Sequence, residues 1–312
     1  MKKLFILLFP LIFWVCAEKS PYTPSITQTT IDDIQFGLSG TFEVATWNIE
    51  FFPKQFNTTV ENVRRVMLAI DAEVYALQEI SNRSYFYQLV DEINEADTVE
   101  TWVGFRAGGS STWGELAYII KTSVVEIVQG PYEIYTSEWS AFPRAPYILE
   151  VSYEGEEIIV INNHLKCCGN GTIDYGNNND EEYRRLRAIQ LLYDYINDIF
   201  QDKNVIVVGD FNDELQDNPE NNIFWEFIDD PAQFQFTDMS IAQDPTQRSW
   251  SYPLWPSHLD HILINDELFD EFLLTGSQIK TIRIDDYMDG GFSEYDMTTS
   301  DHRPVGIRLQ FD

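Results

Sequence analysis

Blocks of apolar residues recur along the chain with the spacings of strands and of helix faces. Residues 42–49 are rich in apolar and aromatic side chains and predict a buried strand. Thr58 and Glu61 then have the form of a capping box, which marks the start of a helix. The apolar residues that follow share one helix face, namely Val60, Val63, Met67 and Ile70. A strand followed by a helix is therefore predicted at the start of the folded region.

The same alternation continues to the end of the chain. Glu154-Gly155 is a plausible hairpin turn between two strand-like runs. A mixture of hairpins and crossover helices favours an α+β domain in which two sheets pack face to face with helices outside. Strands are predicted over residues 73–77, 116–120, 124–128, 147–153, 157–162, 205–208, 259–264 and 304–309, and helices over residues 85–93 and 181–200.

The first residues have the layout of a signal peptide. Lys2 and Lys3 precede a short apolar run over residues 4–15, which is too short for a typical membrane span. Cys16 ends that run, as in bacterial lipoproteins that carry lipid on this thiol. We expect a signal peptide over 1–16, a polar tether over 17–40 and one domain over 41–312. The protein is then an outer-surface or periplasmic lipoprotein, or otherwise a secreted protein, attached to a membrane only through Cys16.

Composition limits how such a protein can hold its partners. Apolar residues make up 44% of the chain, enough for a buried core. Acidic residues outnumber basic ones by 51 to 20, which gives a net charge of −31. This charge excludes a broad basic surface for nucleic acid. If the protein handles phosphates, bound cations must supply much of the positive charge.

Polar side chains cluster at the ends of the predicted strands, where loops surround a rigid rim. Carboxylate and amide oxygens suit a hard divalent cation, and histidine exchanges a proton near neutral pH. Such an inventory suits a cation, a phosphate and a general base. The clusters are Thr46-Trp47-Asn48, Leu77-Gln78-Glu79, Asn163-His164, Gly209-Asp210-Phe211-Asn212, Leu259-Asp260 and Ser300-Asp301-His302.

These motifs, in this order, resemble the endonuclease/exonuclease/phosphatase superfamily. Pancreatic deoxyribonuclease, apurinic-site endonucleases, neutral sphingomyelinases and inositol-polyphosphate 5-phosphatases belong to it. The resemblance spans roughly residues 42–311, nearly the whole expected mature chain. It implies the fold of deoxyribonuclease I, a four-layered α/β sandwich of two central sheets flanked by helices.

The resemblance also implies a metal site. Glu79 resembles the main Mg²⁺ ligand of the superfamily, and Mn²⁺ is a possible substitute. Asn48 resembles a residue that helps to hold the metal or the phosphate. Asp301 resembles a ligand of a second metal. One or two metals are compatible with this set.

Catalytic roles follow from the resemblance position by position. Asp210 resembles the residue that orients or deprotonates the attacking water, and Asn212 a donor to the scissile phosphate. His302 resembles the histidine that contacts the phosphate or acts as base, with Asp260 as its carboxylate partner. His164 resembles a second phosphate contact or the acid for the leaving group.

The function implied is a Mg²⁺-dependent phosphodiesterase outside the cytoplasm, acting as a low-specificity endonuclease or exonuclease on nucleic acid. The alternative is a phosphatase or phospholipase C-like hydrolase of sphingomyelin or inositol phosphate esters. A binding protein with an inactive site is a third reading, which the presence of all the motifs disfavours. Arg144 resembles a substrate-facing arginine, although a surface ion pair would explain it as well. We expect a monomer.

Other polar residues have structural readings. Strand alternation places His261 on the other face of its strand from Asp260, so His261 is expected to be structural. His258 lies in an aromatic loop and is either structural or a substrate contact. The pair Arg184-Arg185 is expected on a solvated helix face. Cys167-Cys168 follows His164 closely and should lie near the site, either as thiols or as a strained disulfide between neighbours.

Overall fold

The computed structural model describes residues 29–109 and 114–311. The expected signal peptide with Cys16, and residues 17–28 of the expected tether, lie outside these residues. The rest of the expected tether is packed, because Ile31, Ile34 and Phe36 are buried against the helix-covered face of the first sheet. The packed part of the chain therefore begins before residue 41.

The first six-stranded sheet is mixed, with two parallel strands at its centre. Strands β1 and β2 run parallel, and every other pairing in the sheet is antiparallel. The order across the sheet is β11-β12-β1-β2-β4-β3. Its strands are β1 (Thr41–Phe52), β2 (Val74–Ile80), β3 (Trp102–Arg106), β4 (Glu115–Lys121), β11 (Gln278–Thr281) and β12 (Val305–Gln310).

The second six-stranded sheet repeats this plan. Strands β7 and β8 run parallel at its centre, and antiparallel strands extend it on both sides. The order is β5-β6-β7-β8-β10-β9. Its strands are β5 (Glu126–Glu133), β6 (Tyr147–Tyr153), β7 (Glu156–His164), β8 (Asn204–Asp210), β9 (Phe234–Phe236) and β10 (Asp260–Asn265).

Helices cover the outer face of each sheet. Helices α1 (Asn57–Ile70) and α2 (Arg83–Ala96) pack on the first sheet, and α3 (Glu181–Ile199) and α4 (Trp225–Ile228) on the second. A third apolar cluster fills the space between the sheets. The shorter helices are α5 (Met239–Ala242), α6 (Phe269–Leu273) and α7 (Gly291–Thr298), with 3₁₀ turns at Ile31–Asp33, Asp266–Leu268 and Ile284–Tyr287. In the described part of the chain, no helix is both long and apolar enough to cross a membrane.

This architecture confirms the predicted four-layered sandwich. The predicted capping box is wrong, because α1 begins at Asn57 and Thr58 lies inside it. Thr59 fixes the helix start instead: its hydroxyl accepts from the backbone N–H of Gln55 and donates to the carbonyl of Thr298. Three short strands were not predicted, namely β3, β9 and β11. They lie outside the central pairs, and their few residues carry little periodic signal.

A buried pair of carboxyl groups lies at the start of the two central strands of the first sheet. Glu73 accepts the backbone N–H of Glu43, 2.8 Å away, and also binds Lys121. Leu38 and Thr41 donate to one carboxyl oxygen of Glu43. Burial, reinforced by the charge of Glu73, raises the pKa of Glu43 to about 9. Glu43 is therefore protonated in the folded protein at neutral pH.

This raised pKa predicts a stability that depends on pH. The contribution of Glu43 is fully present below its ordinary pKa of 4.5 and is lost as the pH rises towards 9. Glu43→Gln keeps the shape of the side chain and replaces the O–H donor of the protonated carboxyl group by an N–H donor that does not titrate. We expect it to raise the free energy of unfolding at pH 8 by about 1–3 kcal/mol, with little change at pH 5. Urea unfolding at both pH values, with the exposed Glu95→Gln as control, measures this. A Glu43→Gln protein no more stable than wild type at pH 8 would contradict the assignment.

Candidate active site

A groove of about 1030 Å³ opens where the central strands of both sheets end. Parallel strands end on the same edge of a sheet, and here the two sheets bring four such ends to one rim. Each predicted site residue except Asp260 lines the groove, and Asp260 lies directly behind His302. The lining residues among them are Asn48, Glu79, Arg144, His164, Asp210, Asn212, Asp301 and His302.

Asn48 links acids from both sheets. Its side-chain nitrogen donates to Asp210 Oδ2 at 2.9 Å and to Glu79 Oε1 at 3.3 Å. Its side-chain oxygen accepts the backbone N–H of Glu50 at 3.1 Å. Asn48 is thus oriented as a donor that holds the two carboxylates at a fixed separation.

The backbone is unusual where the functional side chains leave the strands. Glu79 and Asn212 have left-handed φ values of 61° and 55°, which are uncommon for residues other than glycine. Gly209, before Asp210, has a φ of 144°, and a Cβ there would lie 2.0 Å from the carbonyl oxygen of Asn163. Only glycine fits this position, so the close pairing of β7 and β8 at the rim requires it. Strained backbone of this kind concentrates at functional sites.

His302 and Asp260 form a buried pair. His302 Nδ1 donates to Asp260 Oδ2 at 2.7 Å, which leaves Nε2 directed towards Asp210, 3.9 Å away. Burial disfavours the imidazolium, yet the charges of Asp260 and Asp210 raise the pKa of His302 well above its usual value. The ring of Tyr252 lies against His302, with 4.8 Å between the ring centroids. His302 is therefore a fixed donor facing the groove.

His164 and Asp210 lie beside each other in the groove. His164 Nε2 lies 3.4 Å from Asp210 Oδ2 and 4.0 Å from Glu79 Oε1. Burial, together with the positive charges of Arg144 and His302, lowers the pKa of His164. Burial raises the pKa of Asp210 to about 7, although the charge of His302 opposes this. The site therefore combines a neutral imidazole with a carboxyl group of near-neutral pKa.

Asn212 and Arg144 extend the site along the groove. The backbone N–H of Asn212 donates to Asp210 Oδ1 at 3.0 Å, and its side chain donates to the carbonyl of Leu165 at 3.3 Å. Arg144 donates to the carbonyl of Gly114 at 3.2 Å and lies within electrostatic reach of Asp210. Both residues line the groove with the acids.

The donor set fits a divalent cation. Four carboxylates face the central part of the groove, those of Glu50, Glu79, Asp210 and Asp301. Burial and neighbouring carboxylates raise the pKa of Glu50 and of Asp301. A cation would offset this repulsion, and carboxylate oxygens are the ligands that Mg²⁺ and Mn²⁺ prefer. Glu79 and Asp301 are the candidate ligands, while Asn48 holds the acids through its nitrogen.

The sequence motifs did not include Glu50, although the sequence carries a signal for it. It lies two residues after Asn48, and residues two apart share one face of a strand. Its carboxylate accepts the backbone N–H of Asp301 at 3.1 Å and contacts Lys54. Glu50 therefore fixes the loop that carries Asp301 and His302.

A second buried cluster lies behind the site. His261 Nδ1 donates to Asp238 at 2.6 Å, and His258 Nε2 lies 3.1 Å from the same oxygen. Burial opposes both charges, yet each partner stabilises the other, so the pKa of His261 is raised and that of Asp238 is lowered. His258 and His261 are both almost fully buried. Both histidines are therefore structural.

Arg185 corrects the expectation that Arg184-Arg185 is solvated. Arg185 is 2% exposed, donates to Asp213 Oδ2 at 2.8 Å and also contacts Glu182. The helix pattern could not reveal this, because Asp213 and the backbone carbonyl groups that Arg185 binds come from loops distant in sequence. Arg184 is half-buried and binds the carbonyl groups of Trp139 and Ser140.

Comparison with known proteins identifies one family. The model of the Endonuclease/Exonuclease/phosphatase family matches residues 45–302. No curated protein sequence matches the chain significantly.

Solved structures share the fold at low sequence identity. TDP2 of D. rerio, complexed with a single-strand DNA product, is 14% identical, with a TM-score of 0.60 over 87% of this chain and 99% of that one. The human Nocturnin catalytic domain with bound sulfate is 15% identical, with a TM-score of 0.59 over 88% and 96%. An endonuclease/exonuclease/phosphatase of Bacteroides vulgatus is 13% identical, with a TM-score of 0.56 over 87% and 99%. The TM-scores show a shared fold, and at these low identities the likeness shows the fold alone.

The His302–Asp260 pair predicts a measurable titration. Asp260→Asn removes the negative charge that favours the imidazolium, so the pKa of His302 should fall by about one unit or more. The chain has only 4 histidines, so NMR titration of their ring protons can resolve each one. Asp238→Asn is the matched control, because that carboxylate pairs with His261. An unchanged His302 titration in Asp260→Asn would refute the pairing.

Proposed function

The chain belongs to the endonuclease/exonuclease/phosphatase family, and on that premise we propose that it is a divalent-metal-dependent phosphodiesterase. Members of the family hydrolyse phosphoesters. The proposed substrate is nucleic acid, cleaved with low sequence specificity outside the cytoplasm. The observation that carries the proposal is the meeting of Asp210, His164 and the His302–Asp260 pair beside Glu79 in one groove.

Asp210 is placed to handle the attacking water. Asn48 and the backbone of Asn212 each hold one of its oxygens, so its orientation is fixed. A carboxyl group with a pKa near 7 accepts a proton efficiently at neutral pH. Asp210 is therefore proposed to orient the water and to take its proton.

The two histidines are proposed to contact the phosphate. His302 is held by Asp260 with Nε2 towards the groove, so it can donate to a phosphate oxygen. His164 offers a neutral ring beside Asp210. Preorganised donors of this kind stabilise the charge that develops in the transition state. Asn212 and Arg144 supply further donors along the groove.

Glu79 and Asp301 would hold the cation, Mg²⁺ or Mn²⁺. When bound, the cation supplies positive charge that neutralises the phosphate and lowers the barrier to attack. This charge matters in a protein with a net charge of −31, because the carboxylates would otherwise repel a phosphate.

Nucleic acid is favoured as the substrate by the open groove and by a fold shared with TDP2, whose structure holds a single-strand DNA product. With few basic contacts available, binding should be weak and salt-dependent.

One observation favours the alternative, a phospholipid ester. Leu254 and Trp255 are 52% and 78% exposed, and Trp255 lines the groove, so a small apolar rim is available to a lipid.

A substrate panel tests the proposal. With Mg²⁺ or Mn²⁺ at low salt, the protein should release acid-soluble nucleotides from DNA or RNA, and a chelator should abolish the release. Asp210→Asn and His302→Gln should each lower kcat/KM by about 10²–10⁴-fold. The surface variant Glu95→Gln controls for loss of charge. Sphingomyelin and an inositol phosphate are assayed in parallel.

The outcomes of this panel decide the substrate, the site residues and the metal dependence separately. Intact nucleic acid with hydrolysed sphingomyelin or inositol phosphate would replace the proposed substrate by the alternative. Unchanged turnover in Asp210→Asn and His302→Gln would contradict the site assignment. Activity that survives the chelator would contradict the proposed metal dependence.

We also propose that the protein is a lipoprotein anchored through Cys16, supported by the basic start and short apolar run before this residue. Expressed in bacteria fed a labelled fatty acid, the wild-type protein should carry label and partition into the membrane fraction. Cys16→Ser should carry none, while Cys167→Ser should be labelled like wild type. Label that persists in Cys16→Ser would contradict this proposal, and an unlabelled, fully secreted wild type would indicate plain secretion.

A further inference from the structure

The loop that follows β7 is tied to the active site on both sides. The backbone N–H of Leu165 donates to the carbonyl of Asp210 at 3.0 Å. Arg185 donates to the carbonyl groups of Lys166 and Cys168 at 2.8 and 2.6 Å. Further along, Glu182 accepts the backbone N–H groups of Asn170 and Gly171. The loop therefore forms a fixed wall of the groove.

Two neighbouring thiols lie in this wall. Cys167 and Cys168 are both exposed and both line the groove. Their sulfur atoms are 3.1 Å apart, and the ammonium group of Lys166 lies 3.7 Å from Cys167 Sγ. Cys168 has a left-handed φ of 72°, so the chain already turns sharply between them. Neither thiol takes part in the proposed hydrolysis.

We propose that Cys167 and Cys168 form a modification site, a vicinal dithiol that reacts with small disulfides and closes into a reversible Cys167–Cys168 disulfide. The shared exposure, the short sulfur–sulfur distance and the neighbouring ammonium group carry this inference. Formation of the bond is independent of the proposed hydrolase function, and only its effect on turnover rests on that function.

The reaction is an exchange between thiols and a disulfide oxidant. The thiolate of Cys167, beside the Lys166 ammonium group, attacks one sulfur of the oxidant. A mixed disulfide forms at Cys167, and the first thiol of the oxidant leaves. Cys168 then attacks Cys167 Sγ, the intramolecular bond forms, and the second thiol leaves. Two cysteine thiols are oxidised and one disulfide is reduced to two thiols, so electrons and protons balance.

Geometry makes this bond reversible. Neighbouring Cα atoms are roughly 3.8 Å apart across a trans peptide, whereas disulfides usually join Cα atoms about 4.4–6.8 Å apart. A disulfide between neighbours is therefore strained, and strained, exposed disulfides are easily reduced. The site suits a reversible modification better than a permanent link.

The strain would reach the active site through the contacts of the loop. Closing the ring distorts the peptide between Cys167 and Cys168. Arg185 holds the carbonyl groups on either side of this peptide, those of Lys166 and Cys168. Arg185 also binds Asp213, and the side chain of Asn212 donates to the carbonyl of Leu165. Oxidation should therefore displace Asn212 and the groove wall and slow the proposed hydrolysis.

Thiol counting tests the modification itself. The full-length chain with Cys16→Ser retains only these two of its 3 cysteines. After incubation with oxidised glutathione, we expect no free thiols, an intact mass lower by two hydrogens, and no dimer on a non-reducing gel. Dithiothreitol should restore both thiols. In the same background, Cys168→Ser should instead keep a glutathione adduct on Cys167, because nothing resolves the mixed disulfide. Two persistent thiols, stable adducts on the parent protein, or a disulfide-linked dimer would each overturn the proposal.

Activity is the second measurement. Oxidation of the Cys16→Ser protein should lower kcat/KM on a chromogenic phosphodiester by on the order of 10-fold to 100-fold, reversibly. The double variant Cys167→Ser/Cys168→Ser, compared with its own untreated activity, should not respond. An intramolecular disulfide without a change in kcat/KM would overturn the coupling to the active site. If no phosphodiester is hydrolysed at all, the proposed function fails while the thiol count still decides the modification.

Discussion

A buried hydrogen bond between the two sheets sets the register of the strand ends that form the rim. Gln78 of β2 donates to the side-chain oxygen of Asn162 of β7 at 2.7 Å, and both side chains are fully buried. Asn162 in turn donates to the carbonyl groups of Leu77 and Ala117 in the first sheet. An apolar interface alone would tolerate sliding of one sheet over the other. Buried amides lose their partners if the sheets slide, and each unpaired group costs about 1–3 kcal/mol.

The register set by these amides determines which residues meet across the groove. Glu79 follows Gln78, and Asn163 and His164 follow Asn162, so the same contact places Glu79 opposite His164. Asn48 then bridges to Asp210 from the neighbouring strands. Burial, with a smaller contribution from neighbouring carboxylates, raises the pKa of Asp210 and of Asp301 at this rim. A bound cation would offset the repulsion between these carboxylates, which connects the acidity of the site with its proposed need for a metal.

Much of this fold was accessible from the sequence, because the central strands are buried on both faces and carry dense apolar runs. Residues 42–49 and 205–208 were assigned correctly as strands for this reason. The motif residues also met in one groove, since strand ends on a shared rim bring distant segments together. The role of Arg185 could not be inferred from periodicity. Arg185 looked solvated on its helix, and only the folded loops supply Asp213 and the carbonyl groups that bury it.

The central claim is that the carboxylates at the strand ends form a divalent-cation site built on Glu79. Direct titration of the protein with Mn²⁺, followed by electron paramagnetic resonance of the free ion, tests it without any substrate. We predict binding by the wild type, equal binding by the Glu95→Gln control, and affinity at least about 10-fold weaker in Glu79→Gln. Mn²⁺ bound by Glu79→Gln as tightly as by the wild type would contradict the claim.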